Sequence, residues 1–181
     1  MINIEHADMV RSLVKPGQHI MIWLEDDSVD LWHAATGLVG EVGELVECVN
    51  SDPFDLENFI EELGDIEFYL CQARQNLEID RDFIVNMGYH AKPMLPMTGL
   101  MIAACGFLDQ VKKTVIYNKP TDRTECIKAL ADIERRLEEI RAVRLVDRSE
   151  TLRANIDKLS QRYPNASYSD EHAQARLDKT G

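Results

Sequence analysis

The sequence predicts an all-α protein, a helical bundle built from two tandem, diverged repeats that pack as a covalent pseudo-dimer. Three observations predict it. Apolar residues recur at the helical period along almost the whole chain, and no stretch alternates long enough to demand a strand. Helix-ending signals separate the periodic segments: Pro16-Gly17, Asp52-Pro53, Pro93 with Pro96, Pro120 and Pro164. The chain also matches itself. Thr36-Gly37-Leu38 recurs as Thr98-Gly99-Leu100, and Val49 matches Val111, at an offset of 62.

The periodicity places helices at 4–14, 17–25, 29–50, 55–76, 80–90, 97–115, 121–145 and 149–162. Pro16-Gly17 parts the first two, Asp52-Pro53 the third and fourth, and Pro93 closes the fifth. Pro120 parts the sixth and seventh, and Pro164 stops the eighth. The polar tail, Asn165 to Gly181, is expected to drape over the surface. Past Pro53 the internal match continues at an offset of 67. Pro53, Asp55, Ile60, Leu63, Asp65 and Ile66 match Pro120, Asp122, Ile127, Leu130, Asp132 and Ile133. Glu67, Leu70, Arg74, Asp80 and Arg81 match Glu134, Leu137, Arg141, Asp147 and Arg148, giving 11 identities over positions 53–81. This divides one compact domain into an N-terminal half, 1–92, and a C-terminal half, 93–181.

With 181 residues, 45% of them hydrophobic, the chain has enough apolar material for a core. A net charge of −12 argues against a general nucleic-acid or anionic-membrane surface. It leaves room for a small anionic substrate if a metal and local Lys or Arg offset the field. The segment Met1 to Val10 lacks the apolar core of a signal peptide, and no run reaches the ~20 apolar residues of a membrane span. Cys48, Cys71, Cys105 and Cys126 show no Cys-x-x-Cys spacing and read as small buried thiols in a reducing cytoplasm.

Two short acidic motifs carry the chemistry. Glu41 and Glu44 are three apart, as are Glu62 and Asp65. On a helix each pair lies on one face, with Cβ atoms roughly 5–6 Å apart. Two such helices facing each other would gather four carboxylates, whose mutual repulsion a hard divalent cation resolves. The matching positions of the second half hold Ala103, Gly106, Ala129 and Asp132, so only the first half can form the cluster. The second half has instead a basic stretch, Lys112 to Lys119, read as a loop five residues longer than its counterpart.

The string from His33 to Leu45, the string from Glu61 to Leu70, and Asn155 to Pro164 together resemble the MazG-like all-α nucleoside triphosphate pyrophosphohydrolases. Ser167-Tyr168-Ser169-Asp170 resembles the tail of phage and bacterial members, and Lys112 to Pro120 resembles the loop between the family's two acidic helices. The resemblance covers residues 30–80 and 98–178. It implies hydrolysis of a (d)NTP to the monophosphate and pyrophosphate in nucleotide-pool house-cleaning, with Mg²⁺ (Mn²⁺ as an alternative), on an oligomer expected here to be a homodimer. The chain departs from the family in drawing its acids from one half and its bases from the other. Its own third-helix position in half one, Asn86 to Pro93, matches poorly.

A single composite site is therefore expected. Glu41, Glu44, Glu62 and Asp65 would hold the metal, and one of them would activate water. Lys158 and Arg162, four apart on one helical face, would clamp phosphate. Asn155 and His33 would reach sugar, base or phosphate, and Lys112, Lys113, Tyr117 and Lys119 would close over the substrate. Plainer readings stand beside these: the acids as a solvated face, His33 as a buried hydrogen-bonded histidine, Lys158 and Arg162 as surface charges, and Trp23, Trp32, Phe68 and Tyr69 as core. The rival function is a catalytically degenerate protein of the same fold that binds nucleotide or metal.

Overall fold

Two long helix hairpins form the frame. In the first, α3 (Asp26–Val49) starts with Asp26 and Asp27 in its first turn, where carboxylates favour the helix dipole. It buries Leu31, Ala34, Leu38, Val42, Leu45 and Cys48, a stripe at steps of three and four. Its partner α4 (Leu56–Asn76) is capped by Asp55, whose carboxylate accepts from the backbone N–H groups of Glu57 and Asn58. In the second hairpin, α6 (Pro96–Tyr117) carries Pro96 in its first turn, and α7 (Arg123–Arg144) is capped by Asp122. α3 packs on α4, α6 on α7, and the hairpins meet through α3 and α6.

The remaining helices cross between hairpins. The short α5 (Arg81–Asn86), which follows α4, packs on α7; α8 (Arg148–Arg162), which follows α7, packs on α4. Two short helices, α1 (His6–Leu13) and α2 (Gly17–Met21), precede the frame, and α9 (Asp170–Ala175) follows it. The computed structural model describes residues 5–87, 92–176 and 178, and among these no strand occurs. No helix is long and apolar enough to cross a membrane among the described residues.

A buried ionic lattice ties the hairpins together. Glu67 on α4 accepts from Arg141 (3.1 Å) and from Arg148 (2.7 and 2.8 Å). Glu134 on α7 accepts from Arg74 and from Arg81 (3.0 Å). Each pair becomes the other when 67 is added to one number and subtracted from the other. Both carboxylates are buried, so each needs its arginines. Burial works to raise the Glu67 carboxyl, but the hydrogen bonds and charges of Arg148 and Arg141 hold it below the usual range. The helix ends match as well. Glu78 and Leu145 both adopt left-handed backbone, at φ 50° and 56°. Each is followed by an N–H that bonds back to an arginine carbonyl, Ile79 to Arg74 and Val146 to Arg141.

Several expectations need correction. The second helix ends at Met21 rather than 25. The stretch from Lys112 to Tyr117 is helix, not loop, because buried Val111 and Val115 carry the apolar stripe of α6 onward to its left-handed cap at Asn118. Trp23 and Phe68 are exposed rather than core, as are two of the four cysteines, Cys71 and Cys105. The polar tail contains a helix, α9, capped by the Ser169 hydroxyl. Part of the expected third-helix position of half one falls at 88–91, outside the described residues.

Candidate active site

The acidic motifs converge. Leu38, Val42 and Leu45 point α3 into the core, which leaves Glu41 on the flank facing α4. Leu63 and Ile66 do the same for Glu62 and Asp65. Carboxylate oxygens of Glu41, Glu62 and Asp65 lie within 4.8 Å of one another. Glu44 borders the same cavity but stands outside this trio and is exposed. Glu62 is 6% exposed, and its Oε2 is buried with no hydrogen-bond partner.

Such crowding shifts protonation. Burial, then repulsion from Glu44 and Asp65, pushes the Glu62 carboxyl up to about 7. Burial, then repulsion from Asp65, Glu44 and Glu62, pushes Glu41 up to about 7 as well. The cluster is thus short of positive charge. An orphaned buried oxygen among three carboxylates, in an all-oxygen donor set, fits a hard cation such as Mg²⁺ or Mn²⁺.

Helix α8 supplies the opposite wall. Its approach depends on Gly64, where a Cβ would lie 2.8 Å from the Thr151 carbonyl oxygen and 2.9 Å from the Asn155 Cβ. Asn155 is therefore close enough to donate to Asp65 Oδ1 at 2.8 Å. One turn on, Lys158 donates to the other Asp65 oxygen and lies 2.6 Å from Glu61. Burial acts to lower the Lys158 ammonium, and the bonds to Asp65 and Glu61 override it, raising the group above its ordinary range. A further turn on, Arg162 is held by Asp178.

These walls enclose a cavity of about 630 Å³. Away from the acids its lining includes four aromatic rings, Phe68 (43% exposed), Tyr69, Tyr163 and Tyr168. Tyr69 lies against Gly37, where any side chain would strike its ring. His33 also borders the cavity and is exposed, against the reading of it as buried. Its Nδ1 is 3.3 Å from the Gln72 amide, and its ring meets Tyr69 edge-on at 5.8 Å.

Of the expected site residues, Glu41, Glu44, Glu62, Asp65, His33, Asn155, Lys158 and Arg162 border one cavity. Lys112, Lys113, Tyr117 and Lys119 do not. Lys112 and Lys113 pair with Asp109 along α6, Tyr117 ends that helix exposed, and Lys119 borders a separate cavity near Trp23. Sequence reasoning took Phe68 and Tyr69 as core in preference to a base-stacking platform and did not single out Asp178. Phe68 could have been found from its place three residues after Asp65, on the same helical face.

The matching place in the second hairpin is filled. Asp132 receives Arg136 Nε at 3.2 Å, and the same guanidinium donates to the Lys92 and Met94 carbonyls at 2.7 and 3.4 Å. Arg136 is 1% exposed and lies in the gap left by Gly99.

No family model, curated protein or solved structure matches the chain.

Proposed function

We propose that the chain is a divalent-cation-dependent nucleoside triphosphate pyrophosphohydrolase, taking (d)NTP to (d)NMP and pyrophosphate. The observation that carries this reading is the unpartnered, buried Glu62 oxygen among three converging carboxylates. It is supported by the MazG-like strings around those acids and by a cavity of a size that suits a small-molecule ligand. The pattern of ion pairs and helix ends related by an offset of 67 favours descent from two tandem MazG-like repeats, of which one keeps its acids.

Glu41, Glu62 and Asp65 would hold Mg²⁺, with Glu44 at the rim. When bound, the ion would polarise a phosphoryl oxygen and lower the pKa of water. Glu41 or Glu44 would orient the attacking water and take its proton. Asn155 and Lys158 fix the Asp65 carboxylate, so their first task is positioning, rather than the phosphate clamp expected of Lys158 and the sugar or phosphate contact expected of Asn155. Arg162 would meet the phosphates, and Phe68 and Tyr168 offer ring faces to the base. A cytoplasmic, homodimeric house-cleaning role belongs to the same reading.

The alternative is a nucleotide- or metal-binding protein without turnover, favoured by Lys158 and Arg162 both being engaged by carboxylates. A dNTP panel with Mg²⁺ separates the two. Monophosphate plus pyrophosphate supports the hydrolase. Nucleotide binding without products supports the sensor. Absence of both would leave the acids as a structural feature. Glu41→Gln, which removes a member of the trio, should abolish release of pyrophosphate while helical content stays intact.

A further inference from the structure

Every cation bordering the acidic cavity, histidine aside, already faces a carboxylate of the chain itself among the described residues. Lys158 serves Asp65 and Glu61. Arg162 and Arg176 both face Asp178. The Lys158 pairs sit inside the acidic cluster. The Asp178 pairs lie apart from it: Arg162, where α8 stops, and Arg176 border the cavity, and Asp178 itself is not part of the lining. A polyanion entering a chain of net charge −12 needs a positive contact, and Arg162 is the one it would use.

The geometry at Arg162 is that of ligand capture. Its Nε donates to Asp178 Oδ1 at 2.7 Å and its Nη2 to Oδ2 at 2.6 Å, both prongs of the guanidinium fork to both oxygens of one carboxylate. Arg176 Nε lies 4.0 Å from the same group. This is the bidentate arrangement in which arginine takes phosphate. The contact spans 16 residues and forms only because the chain turns after Tyr163 and runs back through α9. The Asp178 side chain is 2% exposed, so the carboxylate is seated rather than resting on the surface. The hydrogen bond from Arg162 holds its carboxyl down at about 2.

We infer that Asp178 is a tethered competitor for the phosphate position at Arg162: it occupies the fork in the free protein and leaves when an inorganic or nucleotide polyphosphate arrives. The inference deepens the proposed function and rests on the reading of Arg162 as a phosphate contact. Apparent affinity for the anion is then reduced by the fraction of molecules in which the fork is taken.

The test is binding of inorganic tripolyphosphate, measured by calorimetry at fixed excess Mg²⁺, to the full chain and to Asp178→Asn, with circular dichroism to verify folding. The asparagine variant should bind about 3- to 10-fold more tightly. Adding Arg162→Gln to Asp178→Asn should erase the gain. Equal or weaker binding by Asp178→Asn would overturn the inference and make Asp178 a fixture that orients Arg162. So would a gain that persists without Arg162. Because the probe carries no nucleoside and needs no turnover, the result is independent of catalysis. Tighter binding with no dNTP hydrolysis in any variant would retain the competitor and remove the hydrolase. Hydrolysis without the gain would do the reverse.

Discussion

Tyr69 and Arg136 occupy matching positions on α4 and α7, each beside a glycine, Gly37 or Gly99, that makes room for it. Around Tyr69 the acids Glu41, Glu62 and Asp65 converge with one buried oxygen left without a partner. Around Arg136 two acids, Asp132 and Glu139, are neutralised from within by the guanidinium. The scaffold is the same on both sides: aspartate caps, reciprocal Glu–Arg ties and left-handed helix ends. The difference is where the cation comes from. One hairpin carries its own; the other has Lys158 of α8 on Asp65 and an unpartnered Glu62 oxygen, which on the proposed function a cation from solution would meet. Similar packing can therefore carry an internal salt bridge or a ligand site, depending on a handful of side chains.

Activity offers the widest separation between the two places. On the proposed function, Glu62→Gln removes a metal-facing oxygen and should lower pyrophosphate release by at least about 10²-fold. Asp132→Asn, in the filled counterpart, should leave turnover near wild type. Equal losses from both substitutions, measured on the same dNTP, would mean that Asp132 also serves catalysis and that the filled place is misread.

The buried ties test the likeness of the two hairpins. Glu67→Ala strands Arg148 and leaves Arg141 only the exposed Glu138, and Glu134→Ala strands Arg74 and leaves Arg81 only that same Glu138. Removing one partner of a buried pair costs about 3–5 kcal/mol, so each variant should lose that much in urea denaturation. A loss confined to one of them would show that only one tie holds the frame.

Much of this frame was legible in the sequence. The stripe from Leu31 to Cys48 and that from Phe59 to Ala73 have the helical period, and Asp52-Pro53 and Pro120 mark the hairpin bends. The acids were legible too, since i, i+3 spacing on a helix guarantees a shared face. The errors have physical reasons. Lys112, Lys113, Thr114, Asn118 and Lys119 suggested a loop, yet Val111 and Val115 were enough to continue α6. Arg136 looks no different in sequence from half-buried Arg135, and only the gap at Gly99 draws it inside. Asp178 meets Arg162 through a reversal of the chain in the tail, which no local spacing encodes.

Protonation gives a smaller effect, seated in the acidic cluster of the first hairpin. Glu41 and Glu62 rise from 4.5 to about 7 in the fold, so the folded chain binds these protons more tightly than the unfolded one. Their contribution favours folding below about 4.5 and is lost as pH rises through about 7. In EDTA, the melting temperature should therefore carry a declining component over this range, a few degrees in all. Glu62→Gln should flatten it, and Mg²⁺ should offset it at pH 8. Thermal melts across pH, with chelator and with Mg²⁺, test this. A decline in Glu62→Gln as steep as in the wild type would place its source outside the acidic cluster.

The finest comparison lies at the two helix ends. Glu78 and Leu145 hold left-handed backbone where a glycine would be unstrained, and Leu145 is 92% exposed. Neither side chain is needed for the return bonds, which run from the next N–H to Arg74 and Arg141. Relief of the left-handed strain exceeds the extra freedom that glycine gives the unfolded chain, so Leu145→Gly should gain about 0.5–1 kcal/mol. Glu78→Gly should gain a similar amount, because its backbone bonds have the same pattern and Arg123 binds its carbonyl rather than its carboxylate. Matched gains in urea denaturation would mean the two hairpins end under the same backbone strain. A gain at Leu145 alone would mean that the Glu78 carboxylate contributes something its backbone geometry does not reveal.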